Sequence, residues 1–196
     1  MNSRRTLIGS SIVPLRFAFF MWLVFTLEFA YGLNLQFFAL IPRDFHGLIG
    51  IVTAPFFHAD PVHIISNTVP FLFFSITLFT YYPKVAKRVF LGCYLLTGVL
   101  VWLFARPVAH IGASGVVYAL ATFVIAYGFY RRDFKSLLIS SIAVILYGSI
   151  YYGVLPSGGR VSWESHLFGA VVGFLLARHY GVRYKKKPRL RGFLKK

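Results

Sequence analysis

Three short segments of this 196-residue chain carry side chains that could act together on a carbonyl: His63-Ile-Ile-Ser-Asn67, Gly112-Ala113-Ser114-Gly115 and Ser165-His166-Leu167-Phe168-Gly169. A serine hydroxyl becomes an effective nucleophile when a neighbouring base removes its proton, and histidine is the side chain best suited to that near neutral pH. Each segment opens a strongly apolar stretch. Ser114 falls where a helix would begin, and there free backbone N–H groups and the positive end of the helix dipole suit a developing oxyanion. The chemistry this implies is peptide hydrolysis at a membrane.

Each piece also has a plainer reading. His63 and Asn67, four residues apart and so on one helical face, could be interhelical hydrogen-bond glue. Gly112 and Gly115 around a serine make a common packing device in membrane helices. His166, Gly169 and Gly173 share a face, and the Gly-x-x-x-Gly surface brings two helices close together. If the partner is the segment starting at Ser114, His166 comes within reach of the serine.

The elements that must position these groups are membrane helices. With 58% hydrophobic and 13% charged residues and a mean hydropathy of +0.70, the chain is not an ordinary soluble domain. Its length leaves room for about six helices of roughly 20 residues each. Hydropathy and the punctuating prolines, glycines and aspartate predict one domain over 1–196, with spans at 17–36, 61–82, 85–104, 113–130, 134–155 and 165–184. A long, partly apolar loop covers 37–60, and a basic cytoplasmic tail covers 185–196. The expected fold class is an all-α, six-transmembrane-helix bundle.

Charge placement gives the expected orientation. Of the 21 lysines and arginines, all but Arg43, Arg106 and Arg160 lie at the termini or in the second and fourth loops. By the positive-inside rule both termini are cytoplasmic, in agreement with an even number of helices. The +16 formal charge, so distributed, favours contact with anionic lipid headgroups over nucleic acid. Residues 4–32 are taken as a first helix in place of a cleaved signal peptide. Cys93, alone, permits no internal disulfide.

The ordered set His63-x-x-x-Asn67, Gly112-x-Ser114-Gly115 and His166 followed by Gly169-x-x-x-Gly173 resembles the rhomboid intramembrane serine proteases of bacterial type, over about 58–180. The resemblance implies that Ser114 is the nucleophile and His166 its base in a Ser-His dyad. It also implies that Tyr118 packs against the histidine and that His63, Asn67 and the Ser114 N–H stabilise the oxyanion. Gly112, Gly115, Gly169 and Gly173 support that arrangement. Substrates would be transmembrane segments of other proteins, cut near the external face without cofactor or metal, in a setting that suits a prokaryotic inner membrane. A capping loop at 156–163 would admit water. One departure is that His46-Gly-Leu-Ile-Gly-Ile-Val-Thr53 lacks the Trp-Arg pair many bacterial members carry in the first loop.

Other residues receive simpler expectations. His110 is read as a solvated interfacial side chain and His58 as a structural hydrogen-bonding group; His46 and His179 have no assigned partner. Glu164, two residues from His166, points to a nearly opposite face. Glu28, deep in the first span, is expected to face protein. Two other function classes are a rhomboid-like pseudoprotease that binds transmembrane clients and a small transporter. The complete dyad argues against the first, and the absence of an internal repeat argues against the second.

Overall fold

The computed structural model describes residues 7–33, 36–156 and 162–186. It is an all-α membrane bundle, and among the described residues its α-helices are α1 (Leu7–Tyr31), α2 (Gly50–Thr53), α3 (Pro61–Tyr81), α4 (Ala86–Phe104), α5 (Ser114–Arg131), α6 (Phe134–Tyr147) and α7 (Trp163–Lys186). By length and apolarity alone α1, α3 and α4 are sufficient to cross a bilayer. α6 is only 14 residues long and continues as a 3-10 helix, Gly148–Val154.

Helix ends follow local chemistry. Asp60 caps α3 by accepting the His63 N–H at 2.8 Å, and Pro61 occupies the first turn. Asp133 caps α6 through the Ser136 N–H at 3.1 Å. The first helix departs most from the expected 17–36: it starts at Leu7 and stops at Tyr31, where Gly32 turns to a φ of +60°. Arg16, expected before the span, is an exposed residue within it, where a long basic side chain can extend along the apolar surface toward water. The segment expected at 134–155 changes from α to 3-10 at Gly148, a poor helix former.

α5 is the centre of the bundle and touches α3, α4, α6 and α7. Its Val117, Leu120, Phe123 and Val124 are fully enclosed with Phe71, Phe74 and Leu78 of α3, Val89 and Cys93 of α4 and Ala177 of α7. The outer faces remain apolar. Phe19 and Phe29 on α1 and Ile145 on α6 are exposed, the arrangement expected where lipid is the solvent. Glu28 is partly buried and forms no ion pair among the described residues.

The segment between α1 and α3 is held against α4 by polar contacts. Arg43 donates from Nη1 to the Ala105 carbonyl at 2.8 Å and to the Leu103 carbonyl at 3.2 Å, and Trp102 donates from Nε1 to the Asp44 carbonyl at 2.9 Å. Leu40 and His110 exchange backbone hydrogen bonds at 3.1 and 2.8 Å. A tryptophan and an arginine thus anchor this loop, although they come from α4 and from residue 43 and not from one local pair.

Candidate functional site

The capped start of α3 places His63 and Asn67 on one face. Asn67, 4% exposed, donates from Nδ2 to the His63 carbonyl at 3.0 Å, which leaves its second amide hydrogen free of that bond. His63 Nδ1 accepts the Ala59 N–H at 3.4 Å. In a neutral imidazole the proton then resides on Nε2, making that atom a donor.

That donor faces the segment leading to Ser114. Gly112 has a φ of +101°, and a Cβ built on it would lie 2.6 Å from His63 Nε2 and 3.6 Å from Asn67 Nδ2. Glycine is required twice here, for the backbone angle and for the space. The next residue, Ala113, donates its N–H to His58 Nε2 at 3.4 Å. His58 therefore has the structural hydrogen bond expected of it. Burial, reinforced by the neighbouring His63 ring, lowers its pKa to about 4, so the ring is neutral near pH 7 and Nε2 is free to accept. Ser114 is the first residue of α5, a position whose N–H has no carbonyl within the helix to bond.

His166 comes from the first turn of α7 and is 7% exposed. Its ring lies flat on Tyr118, with centroids 4.1 Å apart and planes within 4°. Tyr118 is one turn after Ser114 on α5. His166 Nδ1 is 2.9 Å from the Gly153 carbonyl. A carbonyl can only accept, so Nδ1 carries the proton and Nε2 keeps its lone pair. The described residues contain no hydrogen bond between His166 and Ser114.

Close approach of α5 and α7 sets this register. A Cβ on Gly169 would overlap the Gly115 carbonyl oxygen, and one on Gly173 would overlap that of Ala119. The glycine face of α7 therefore lies against the backbone of α5, the condition under which His166 comes near the serine helix. Gly115 is itself crowded, by Thr97 Cγ2 at 3.0 Å and the Ser165 carbonyl at 3.1 Å from a built Cβ.

His110 corrects its expectation as a solvated side chain: it is 3% exposed and bonded at both nitrogens. Nε2 donates to the Arg106 carbonyl at 3.1 Å, and Nδ1 accepts from the Ser162 hydroxyl at 2.5 Å. Ser162 in turn meets the Ser165 hydroxyl at 2.7 Å. Burial lowers the pKa of His110. Beside this chain Arg106 holds Glu164 by a two-pronged ion pair, Nε to Oε1 and Nη2 to Oε2, the latter at 3.1 Å. The Glu164 hydrogen bond raises the Arg106 pKa. Glu164 is thus engaged away from His166, as its helical position requires.

Sequence reasoning did not single out Gly153, Arg106 or Ser162. The contact at Gly153 is made by a main-chain carbonyl, which no side-chain pattern announces. A missing Cβ is the sole local sign, since one there would strike the Tyr118 hydroxyl. His46 and His179 are exposed. Among the described residues no three His, Cys, Asp or Glu side chains assemble as metal ligands. Most of the proposed cap, residues 157–161, and most of the basic tail, 187–196, lie outside the described residues.

Comparison with known proteins places the chain in a family. A sequence model described as Rhomboid domain matches residues 46–183. An uncharacterized protein of Mycobacterium bovis is 30% identical over 184 residues, spanning 88% of this chain and 75% of that protein. One from Mycobacterium tuberculosis gives the same values, and an uncharacterized Mycobacterium leprae protein is 31% identical over 140 residues, 66% of this chain and 55% of that protein. With a domain match that spans both histidine helices and the serine helix between them, the chain belongs to the rhomboid family.

Proposed function

We propose that this protein is an intramembrane serine endopeptidase that cuts transmembrane segments of other proteins with Ser114 as nucleophile and His166 as base. The observation that carries the reading is the state of His166: Nδ1 is committed to the Gly153 carbonyl and the ring is stacked on Tyr118, one turn from Ser114. Nε2 is left as the basic atom, as a general base requires.

Ser114 Oγ adds to the scissile carbonyl as its proton passes to His166 Nε2. The tetrahedral oxyanion takes hydrogen bonds from the Ser114 N–H, His63 Nε2–H and Asn67 Nδ2–H. Collapse breaks the C–N bond, with His166 returning the proton to the leaving amine, and a water activated by the same imidazole frees the acyl group. A substrate helix must unwind locally, because its carbonyls are otherwise occupied by its own N–H groups. The Arg106–Glu164 pair and the His110–Ser162–Ser165 chain hold the start of α7 near the loop that precedes Ser114.

The same reading places both termini in the cytoplasm of a bacterial inner membrane, with transmembrane proteins as substrates and anionic lipids at the basic face. A second reading is a client-binding protein without turnover, favoured by the missing Ser114–His166 hydrogen bond; such bonds often close only when substrate is present.

The test is cleavage of a single-span substrate in proteoliposomes by wild type, Ser114→Ala and His166→Ala, each checked for folding. Loss in both variants supports the dyad. Cleavage surviving both breaks it, and an inactive wild type across several helix-destabilised substrates favours client binding.

A further inference from the structure

The end of the bundle opposite Ser114 contains a cavity of about 560 Å³, walled chiefly by Tyr82, Lys84, Arg88, Arg131, Arg183 and Tyr184. Four cations meet there. The chain has only five acidic residues, and Asp44, Asp60 and Glu164 are at the other end of the bundle, on the Ser114 side. Glu28 is near the end of α1. Asp133 alone is near the cavity, and it is occupied by Arg131 at 2.8 Å and by the Ser136 hydroxyl at 2.9 Å. Among the described residues Lys84, Arg88 and Arg183 have no carboxylate partner.

Two of the four cations, Arg88 and Arg131, are held in place by neighbouring groups. The Arg131 guanidinium stands over Tyr184 at 4.6 Å and Tyr82 at 5.6 Å, and that of Arg88 over Tyr180 at 5.9 Å. Arg88 is tied further by Nη2 to the Lys84 carbonyl at 3.2 Å. A cavity lined by cations with too few carboxylates to pair them calls for an anion with several acceptor oxygens, and guanidinium groups match phosphoryl geometry. The residues beyond Tyr184 are themselves basic, so the chain's own tail is the wrong sign to fill the space.

We propose that this cavity binds a phosphoryl anion, supplied by the headgroup of an anionic lipid in the leaflet at this end of the bundle. The tyrosines then form the apolar wall beside the glycerol and upper acyl chain, as aromatic side chains do at a membrane interface. This differs from diffuse attraction between a basic face and an acidic surface, because it requires particular arginines and one lipid per chain.

Native mass spectrometry of the full chain in non-ionic detergent, with phosphatidylglycerol and phosphatidylcholine in competition, tests it. Wild type is expected to retain one phosphatidylglycerol, with a preference reduced about tenfold in Arg183→Gln and further in Arg88→Gln/Arg183→Gln. Lys87→Gln/Lys135→Gln removes the same charge from exposed positions outside the cavity and should retain the preference. Arg183 is exposed, so its single variant is expected to fold. Inorganic phosphate that matches the lipid in raising the melting temperature of wild type, but not of Arg183→Gln, would keep the site and move its source to a free anion. Equal loss in the Lys87/Lys135 control, or no preference by folded wild type together with no response to phosphate, overturns the proposal. The readout involves no catalysis, so it stands apart from the fate of the Ser114 assignment.

Discussion

The His166 imidazole and the Tyr118 phenol ring are stacked with centroids 4.1 Å apart and planes 4° from parallel. Among the described residues no carboxylate bonds to this imidazole; a ring face and the Gly153 carbonyl orient it. Tyr118→Phe keeps the face and should retain most turnover. Tyr118→Ala removes it and lets the ring rotate, so kcat should fall by about 10²-fold, the scale expected when a catalytic group is displaced by roughly 1 Å. Equal kinetics for Tyr118→Ala and wild type, from single-span substrate cleavage, would remove the stacking from the mechanism.

Gly173 is more than a turn beyond His166 yet lies against the Ala119 carbonyl. Gly173→Ala must push α7 from α5 and should lower stability by about 1–3 kcal/mol, the range for overpacking a tight contact. Gly148→Ala, where a new Cβ would meet only Val144 Cγ1 at 3.8 Å, should be within about 0.5 kcal/mol of wild type. Thermal unfolding in detergent checks the pair.

Donor removal separates oxyanion stabilisation from nucleophilicity. Asn67→Ala should lower turnover by about 10²–10³-fold, less if His63 compensates, while Ser114 still reacts slowly with an electrophilic probe. Unchanged turnover would take Asn67 out of the site.

The sequence carried the all-helical fold because apolar runs and their punctuation are local signals, and Asp60-Pro61 and Asp133 mark helix starts directly. It carried the close approach of α7 to another helix because Gly169-x-x-x-Gly173 has one bare face, while the choice of α5 as partner needed the fold. It failed at His110, whose burial depends on Ser162 and Arg106 at other positions in the chain, and at Gly153, which acts through its main chain. The start of α1 was hidden because Arg16 reads as a loop charge, whereas in a helix its side chain can extend along the apolar surface.

Stability should fall in mild acid because His58 is held neutral. Its pKa is lowered from 6.5 to about 4 by burial and by His63. Between those values the unfolded chain takes up a proton that the folded chain refuses, so stability present above pH 6.5 is lost as the pH falls toward 4. Complete expression of that linkage amounts to roughly 3 kcal/mol, and the lowered pKa of His110 acts in the same direction. Melting temperatures from pH 7.5 to 4.5 should decline for wild type and decline less for His58→Gln. Parallel curves would show that other groups dominate.

Arg106 and Glu164 differ in exposure, with side chains 49% and 5% accessible, and the two single changes should therefore not be equivalent. Arg106→Ala strands a buried carboxylate, whereas Glu164→Gln leaves a half-exposed guanidinium that water can serve. The first should lower the melting temperature more than the second. Arg106→Ala/Glu164→Gln should recover part of the loss, because the buried group is then neutral. A double variant as unstable as the sum of the singles would mean that the two residues act independently and that the ion pair does not hold the start of α7.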